Sequence, residues 1–437
     1  MLSVIIFLYI RFLMSDNRKS TIILGAGFTG LFTALHLSKH NYPQSITLID
    51  RHDRFSFNPM MYEYLTGEMS DEQVYPRYLD LLEGSGITFI QDSVTKIDLQ
   101  GKCIKLADDL NYSYDNLVLA LGSVGSFFGI KGAKEHTFLF RTGEQAIALG
   151  RHLRKRLQQA SQTQDITKRR DLLTIAIIGA GASGVELAAT LADLLPIWYK
   201  ELQGNPEEIR IVLVNRSEEI LKGSGNTEEA QQKIQSTAIE ALNNRNLPIE
   251  FLFGASVTQV HEDRIEYQQN GQARILQAGT IAWTAGVTVN PLIKNLPISE
   301  DYKTKQGYLL VEPTMQLPEY PEVFAGGDCA LNNNESLPLT AQVAYQEGIA
   351  IAKNLLAIAE GKQPTETDVT LRGTLLKLGL GESMANLFDR YEIKGKAGHL
   401  IREATYLTLL PNPVHNFKAT TNWLIDEIFE QNLNSLA

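Results

Sequence analysis

The sequence predicts an α/β protein with two parallel sheets, because the same strand, glycine turn and helix occur twice in the chain. In residues 21–50 an apolar strand runs into the turn GAGFTG, an apolar helix follows, and a second short strand ends on an aspartate. From residue 173 an apolar strand runs into GAGASG, and a helix and another strand come after it. This order is typical of a unit that binds a dinucleotide, so the repeat predicts two Rossmann-like dinucleotide-binding domains.

The three glycines of the first turn have different predicted roles. Gly25 permits the tight turn, Gly27 lets the backbone approach a pyrophosphate, and Gly30 lets the helix pack on the strand. The helix N-terminus adds free N–H groups and the positive end of a dipole. Asp50 follows the next strand, where a carboxylate would accept hydrogen bonds from a ribose. These features favour a dinucleotide cradle over an ordinary glycine-rich turn.

The second turn repeats the pattern with Gly179, Gly181 and Gly184 but differs at the ribose position. Asn215 and Arg216 follow the strand where the first unit has an acid. A neutral amide does not repel a 2′-phosphate, and an adjacent guanidinium can pair with one. We therefore predict that NADPH is accepted and used in preference to NADH. The alternative is that Asn215 binds the ribose hydroxyls of NADH while Arg216 faces solvent.

Length, charge and cysteine content limit the class of protein. A chain of 437 residues is expected to form two or three domains. It has 40 basic and 50 acidic residues, a net charge of −10, which argues against a general nucleic-acid binder. Cys103 and Cys329 form no CxxC pair, so we expect no redox-active dithiol and a reducing compartment. No histidine spacing predicts a metal site.

The segments after the first unit can be predicted from local pattern. Asn58 and Pro59 are predicted to be the cap and first residue of a helix. Short apolar runs between residues 87 and 119 predict the strands that complete the first unit. Residues 141–170 are polar with helical spacing, which predicts a surface helix leading into the second unit.

The chain is predicted to return to the first unit near its end. Residues 323–329 form an apolar strand that enters a Gly-Gly-Asp turn, and a helix follows. Gln342 and Gln346 are four residues apart and therefore share one face of that helix. The arrangement of strand, acid and helix predicts that Asp328 lies against the cofactor of the first unit.

From about residue 20 onward the chain resembles the type II NAD(P)H:quinone oxidoreductases, single-subunit flavoproteins also called NDH-2. The resemblance rests on GAGFTG with Asp50, GAGASGVELA, WTAGV, AGGDCA and, most specifically, AQVAYQEG. It implies FAD in the first cradle, with Asp328 near the ribityl or pyrophosphate part. It also implies NADPH or NADH as electron donor in the second cradle.

The resemblance further implies roles for three polar side chains. Gln342 and Gln346 would face a quinone head group beside the flavin, and Glu186 would lie near the flavin and the nicotinamide. Amides can donate to quinone carbonyls, and a partly buried carboxylate can relay protons. The alternatives are a solvated helix face for the two glutamines and a helix-dipole role for Glu186. Arg372 stands where many members have a lysine, which keeps the charge but changes the shape of the side chain. The resemblance therefore does not determine the details of the quinone entrance.

The implied function is a non-proton-pumping NAD(P)H:quinone oxidoreductase, in which hydride transfer to FAD precedes two-electron reduction of a membrane quinone. One rival is a sulfide:quinone oxidoreductase, which needs suitably placed cysteines. Another alternative is a soluble ferredoxin or monodehydroascorbate reductase, which would not need the helix that carries Gln342 and Gln346. A redox sensor that binds FAD and NAD(P)H but turns over slowly is the rival from a different class.

The resemblance and the patterns together predict five segments. The apolar run in residues 1–14 is too short to span a bilayer. This segment is either an over-extended reading frame, with Met14 as the true start residue, or a short membrane tether. The FAD-binding domain is predicted in two parts, residues 15–140 and 289–360, and the second part carries the quinone-site helix. The NAD(P)H-binding domain is predicted at residues 141–288. Residues 361–437 are predicted to form a small C-terminal membrane-attachment and dimerisation region.

Residues 415–429 predict an amphipathic helix within that C-terminal region. We expect this helix to attach the protein, as a peripheral protein, to the cytoplasmic side of a membrane, with a homodimer as a further possibility. Its polar face is acidic, which does not favour anionic lipid, so packing against a partner subunit or its own core is the alternative.

Overall fold

The structure is a computed structural model that describes residues 19–225, 227–332, 337–388 and 390–411. The predicted start segment at residues 1–14 and the predicted amphipathic helix at residues 415–429 lie outside the described residues. Among the helices that are described, none is long and apolar enough to cross a membrane.

The elements alternate between strands and helices along most of the chain. The strands are β1 Ser20–Leu24, β2 Ser45–Asp50, β3 Thr88–Gln91, β4 Val94–Asp98, β5 Cys103–Leu106, β6 Asn111–Ser113, β7 Asn116–Leu119, β8 Ser123–Gly125, β9 Phe138–Leu139, β10 Thr174–Ile178, β11 Arg210–Val214, β12 Ile249–Leu252, β13 Ser256–Val260, β14 Arg264–Gln269, β15 Gln272–Gln277, β16 Thr280–Trp283, β17 Val287–Val289, β18 Leu309–Val311, β19 Gln316–Leu317, β20 Tyr320–Ala325, β21 Ala330–Asn332, β22 Gly373–Lys377, β23 Ser383–Leu387 and β24 Tyr391–Ile393. The α-helices are α1 Phe28–Lys39, α2 Met61–Thr66, α3 Asp71–Val74, α4 Tyr78–Leu81, α5 Ala133–His136, α6 Gly143–Gln162, α7 Ile166–Leu172, α8 Ala182–Glu201, α9 Glu228–Asn243, α10 Pro291–Lys294, α11 Ala341–Ala359 and α12 Gly395–Thr408. Single 3₁₀ turns lie at Asn58–Met60, Pro206–Glu208 and Glu300–Tyr302.

The described residues within Met1–Phe55, Arg77–Ser123 and Val289–Thr370 form the first of two compact units. Its main sheet has the strand order β19-β20-β7-β1-β2-β3, and all neighbours except β19 and β20 run parallel. Nearly all of β1 is buried, as expected for a strand in the middle of a parallel sheet covered on both faces. Because β20 pairs with β7, the chain returns to this unit as predicted.

The described residues within Ser56–Pro76, Val124–Thr288 and Leu371–Ala437 form the second unit. Its parallel sheet has the order β12-β11-β10-β16-β9 and repeats the arrangement of the first. Antiparallel sheets β13-β14-β15 and β22-β23-β24 flank it. The two parallel sheets, each with a helix directly after its central strand, confirm the predicted α/β class with two Rossmann-like units.

The units differ from the predicted segment limits at four places. Ser56–Pro76, residues 124–140 and the described residues from Leu371 onward group with the second unit, and residues 361–370 group with the first. The physical reason for the first difference is burial, since Met61, Tyr62 and Leu65 belong to the hydrophobic core of that unit. The cofactor and role given to each predicted segment remain predictions.

The predicted helix cap at Asn58 is wrong. Asn58 begins a 3₁₀ turn whose cap position is Phe57, and α2 starts only at Met61. The Phe57 N–H donates to the oxygen of Val74 at 3.0 Å, which fixes how the chain enters the turn. Backbone pairing within the segment therefore replaces the expected side-chain cap.

Helices α1 and α11 cross at unusually short range in the first unit. The Thr29 hydroxyl donates to the oxygen of Ala344 at 3.1 Å, and the Thr33 hydroxyl donates to the oxygen of Gly348 at 3.0 Å. A Cβ on Gly348 would lie 2.5 Å from the Thr29 oxygen. Two positions of the segment AQVAYQEG therefore serve helix packing.

Adding one methyl group at this crossing tests its tightness. We expect Gly348→Ala to lower the free energy of unfolding by about 1–3 kcal/mol, because the neighbour of the new Cβ is backbone and cannot move aside alone. Ala357→Ser, a substitution of similar size on the partly exposed part of α11, is the control. Urea unfolding of both variants gives the comparison, and equal stabilities would contradict the account.

Candidate functional site

The first glycine turn has the geometry of a dinucleotide cradle. Gly25 has φ +92°, and its N–H donates to the oxygen of Ile49 at 2.8 Å. A Cβ on Gly30 would lie only 1.8 Å from the Gly25 oxygen, so only glycine fits at this position in the first turn of α1. The fold itself therefore explains two of the three predicted glycines.

Gly27 has a different explanation. It has ordinary backbone angles, φ −69° and ψ −164°, and a Cβ built on it would meet no atom within 4 Å. Nothing in the protein requires glycine there, so its absent side chain leaves room for something outside the chain. Because Gly27 lies at the N-terminus of α1, a pyrophosphate fits this place.

Asp50 lies at the carboxyl end of β2 and faces the glycine turn. Its Oδ2 accepts from Ala26 N–H at 2.8 Å, and its Oδ1 accepts from His52 N–H at 2.9 Å. Burial alone would raise the pKa of this carboxyl, but the hydrogen bonds from His52 and Ala26 outweigh it and lower the pKa. Asp50 is therefore an ionised acceptor beside the turn.

The Gly-Gly-Asp turn after β20 brings two further carboxyl groups into the first unit. Asp328 Oδ2 accepts from the Ser123 hydroxyl at 2.8 Å. Glu347, buried on α11, accepts from Gly327 N–H at 2.6 Å. Burial and the nearby Asp328 charge raise the pKa of Glu347 to about 7. Sequence reasoning missed Glu347; its place one residue before the packing glycine Gly348 was the available signal.

The predicted quinone residues lie on the outward part of α11. Gln346 binds both backbone groups of Thr370, accepting from its N–H and donating to its oxygen, each at 3.1 Å. It also donates to the oxygen of Gln342 at 3.2 Å. The two glutamines thus lie on one face, as predicted, and Gln346 anchors the chain where it leaves the first unit. Their role toward a quinone remains a prediction.

The second glycine turn repeats the contacts of the first. Gly179 has φ +107° and donates to the oxygen of Val214 at 2.8 Å. A Cβ on Gly184 would lie 1.8 Å from the Gly179 oxygen. Gly181 has φ −73°, ψ −176° and empty space where its Cβ would be. The residues present therefore fit a second pyrophosphate.

Asn215 occupies the position that Asp50 has in the first unit. Its Oδ1 accepts from Ala180 N–H at 3.3 Å, and its amide donates to Ser217 and to the oxygen of Glu219 at 2.8 Å. Because the amide hydrogens are used within this loop, the oxygen is oriented toward the glycine turn. Arg216 is exposed beside it. The pair therefore presents one neutral acceptor and one exposed cation.

Glu186 lies in the second turn of α8, within the second unit. One carboxyl oxygen accepts from Lys377 N–H at 2.8 Å, and the Tyr62 hydroxyl, which donates to the oxygen of Ser183 at 3.4 Å, lies nearby. Burial raises the pKa of Glu186 to about 6, although the Arg402 charge and the Lys377 N–H act in the opposite direction. A group that titrates there can take up and release a proton near neutral pH.

A buried ion cluster next to this carboxylate was not predicted. Glu63 Oε1 accepts from Lys377 Nζ at 2.8 Å and from Arg402 Nη1 at 2.5 Å, and all three side chains are fully buried. Two cations so close hold the pKa of Glu63 at about 2 despite its burial. The sequence signal was a lysine at the end of the strand GTLLK, directly after two leucines.

The two cysteines are not arranged for thiol chemistry. Both are free, and Cys329 is completely buried. Burial raises the pKa of the Cys329 thiol to about 12, so it is not a thiolate at neutral pH. Within the described part of the chain, no group of histidine, cysteine and acidic side chains could hold a metal ion.

Comparison with known proteins finds relatives along almost the whole chain. Residues 19–348 match the family of pyridine nucleotide-disulphide oxidoreductases. The demethylphylloquinone reductase NdbB of Synechocystis sp. is 33% identical, with 94% of this chain and 97% of that protein covered. A type II NADH:quinone oxidoreductase of Staphylococcus aureus is 28% identical, with 89% and 94% covered. The structure of NDH2 from Plasmodium falciparum in complex with NADH has the same fold, with TM-score 0.80 and 19% identity over 94% of this chain and 98% of that one.

The environment of Glu186 predicts that this residue destabilises the fold at neutral pH. Its pKa rises from 4.5 to about 6 on folding, so the folded protein holds a proton in a range where the unfolded chain has lost it. Stability therefore falls as the pH rises from about 4.5 to about 6, and the cost, about 2 kcal/mol, persists above that. Glutamine keeps the acceptor oxygen without ionising.

We therefore expect Glu186→Gln to raise the free energy of unfolding at pH 7.5 by about 2 kcal/mol and to have little effect at pH 4.5. The control is Glu201→Gln, an exposed residue at the end of the same helix, which should change neither value. Urea unfolding at the two pH values makes the measurement. A loss of stability at pH 7.5 would contradict this account of Glu186.

Proposed function

The chain belongs to the pyridine nucleotide-disulphide oxidoreductase family, in its branch of type II NAD(P)H:quinone oxidoreductases, and we propose that it carries electrons from NAD(P)H through FAD to a quinone. The observation that carries this proposal is the pair of glycine turns, each with one glycine whose missing side chain faces empty space. Two such turns in one chain are what an enzyme needs to hold an electron donor and a bound flavin.

We assign FAD to the first unit. Bound FAD supplies the redox chemistry, because its ring accepts a hydride from a nicotinamide and returns two electrons to a quinone. Gly27 and the N-terminus of α1 would hold the pyrophosphate, and the ionised Asp50 would accept from the adenosine ribose. Asp328, fixed by the Ser123 hydroxyl, would bind the ribityl or pyrophosphate part.

We assign the electron donor to the second unit. Gly181 and the N-terminus of α8 would hold its pyrophosphate, as Gly27 and the N-terminus of α1 would in the first unit. Asn215 leaves the ribose position uncharged, and the exposed Arg216 can pair with a 2′-phosphate. NADPH is therefore the proposed preferred donor, with NADH as the alternative.

Glu186 is the proposed proton-handling residue, because quinone reduction consumes protons and this carboxyl has a pKa of about 6. The Lys377 N–H holds the carboxylate in place. Glu347, with a pKa of about 7 beside the Gly-Gly-Asp turn, can hold a second proton near neutral pH.

We propose that Gln342 and Gln346 line the quinone site. The amide hydrogens of Gln346 are engaged by the oxygens of Gln342 and Thr370. A quinone carbonyl bound by Gln346 would therefore replace one of these acceptors, most simply the Thr370 oxygen. Quinone binding would in that way be linked to the position of the chain at residue 370.

The membrane and dimer assignments rest on the resemblance. We propose a peripheral protein on the cytoplasmic side of a membrane, attached through the segment at residues 415–429, with a homodimer as a further possibility. The sulfide:quinone alternative is disfavoured because buried Cys329 is protonated at neutral pH and Cys103 lies on a separate antiparallel sheet.

Anaerobic rapid mixing tests the proposed activity directly. The purified protein is expected to contain FAD whose absorbance bleaches on mixing with NADPH or NADH and returns when a short-chain quinone is added. Bleaching without reoxidation by any quinone would favour the redox-sensor alternative, and a protein that takes up no FAD would overturn the proposal.

The choice of donor can be tested at Arg216. We expect the wild type to have the higher kcat/KM for NADPH, and Arg216→Ala to lower that value about tenfold or more while leaving NADH within about twofold, because only the 2′-phosphate loses a partner. Lys222→Ala removes another exposed cation nearby in the sequence and serves as control. A tenfold preference of the wild type for NADH would refute the assignment.

A further inference from the structure

A tight turn at residues 127–130 has a residue that its backbone does not favour. The turn is closed by a hydrogen bond from Ile130 N–H to the Phe127 oxygen at 2.9 Å. Its central residues, Phe128 and Gly129, have φ of +50° and +71°. Positive φ at both positions is required by a type I′ turn, for which Asn-Gly is the preferred pair. A bulky aromatic residue in this conformation is an outlier.

Burial does not explain the aromatic residue either. The side chain of Phe128 is 65% exposed. Its ring lies over Gly286, where an added Cβ would come within 2.2 Å of the ring carbon Cζ, and Gly286 itself has φ +71°. The protein thus places an exposed ring on a strained backbone and keeps a glycine beneath it, an arrangement typical of functional positions.

The turn is held firmly against the end of β16. Ser126 N–H donates to the Gly286 oxygen at 3.2 Å, and the indole N–H of Trp283 donates to the Ser126 oxygen at 2.9 Å. The Phe127 ring packs against the same Trp283 ring, with centroids 5.8 Å apart. Phe128 therefore has a defined position relative to the sheet.

That position lies on one side of the second glycine turn. The Thr284 hydroxyl donates to the Gly179 oxygen at 3.0 Å, and a Cβ on Gly179 would lie 2.8 Å from the backbone of Ala285. The segment between Trp283 and Gly286 thus forms one wall of the cradle. Asn215, which marks the adenosine side, follows β11 on the opposite side of β10.

A dinucleotide crosses such a sheet at the point where strand order reverses, here between β10 and β16. With the pyrophosphate at Gly181 and the adenosine toward β11, the other half of the molecule lies over the end of β16. We propose that Phe128 is a binding residue for the nicotinamide half of NAD(P)H, its ring packing against the nicotinamide or the attached ribose. This inference rests on the proposed donor site.

The test uses a substitution that removes the aromatic ring but suits the turn, so that a loss of binding cannot be attributed to a loss of stability. Phe128→Asn gives the pair Asn-Gly that a type I′ turn favours, and Phe128→Tyr keeps the ring. Ile275→Ala, at a residue 60% exposed on β15, is the control for loss of an exposed apolar side chain. FAD-loaded enzyme reduced with dithionite is titrated anaerobically with NADPH, so that binding is measured without turnover, and thermal unfolding is recorded for each variant.

We expect Phe128→Asn to weaken NADPH binding about tenfold, the effect of losing one aromatic contact, while its Tm stays the same or rises by about 1–3 °C. Phe128→Tyr should bind within about twofold of the wild type, and Ile275→Ala should change neither quantity. Unchanged binding in Phe128→Asn overturns the inference, whatever its Tm, and so does equal weakening in Ile275→Ala. Wild-type enzyme that binds neither NADPH nor NADH overturns the proposed donor site instead.

Discussion

In both units the backbone of a helix packs directly against the backbone of the turn before it. At Gly30 and at Gly184 an added Cβ would come within 1.8 Å of a carbonyl oxygen of the preceding turn. This contact sets where each helix begins and points its first N–H groups at the space in front of Gly27 or Gly181. The proposed binding of two dinucleotides depends on this contact, because it fixes the helix N-terminus at which each pyrophosphate would lie.

The second unit combines this cradle with costly buried charge. Glu63, Lys377 and Arg402 are completely buried, and both cations bind the one Glu63 carboxylate, so removing Glu63 would leave two buried cations without the charge they share. Their cluster lies beside Glu186, whose raised pKa makes it destabilising at neutral pH but able to exchange protons. The raised pKa of Glu186 therefore lowers the stability of the fold at neutral pH and, at the same time, suits this residue to its proposed role in proton transfer.

Much of the fold could be predicted from the sequence, because strands and glycine turns are local signals. The parallel sheets, the return of residues 323–329 to the first unit and the surface helix α6 all follow such signals. The grouping of Ser56–Pro76 with the second unit, the partners of Lys377 and the bond from Gln346 to Thr370 could not be predicted. Each joins residues far apart in the chain, or uses a side chain whose direction the local pattern does not determine.

The central claim is that FAD occupies the first cradle and the electron donor the second. Gly27 and Gly181 test it directly, since each has ordinary backbone angles and open space for a side chain, so valine should fit the fold at either position. The measurement is the ratio of FAD to protein after purification. We expect about one FAD per chain in the wild type and in Gly181→Val, and almost none in Gly27→Val. Loss of FAD from Gly181→Val with retention in Gly27→Val would contradict the account.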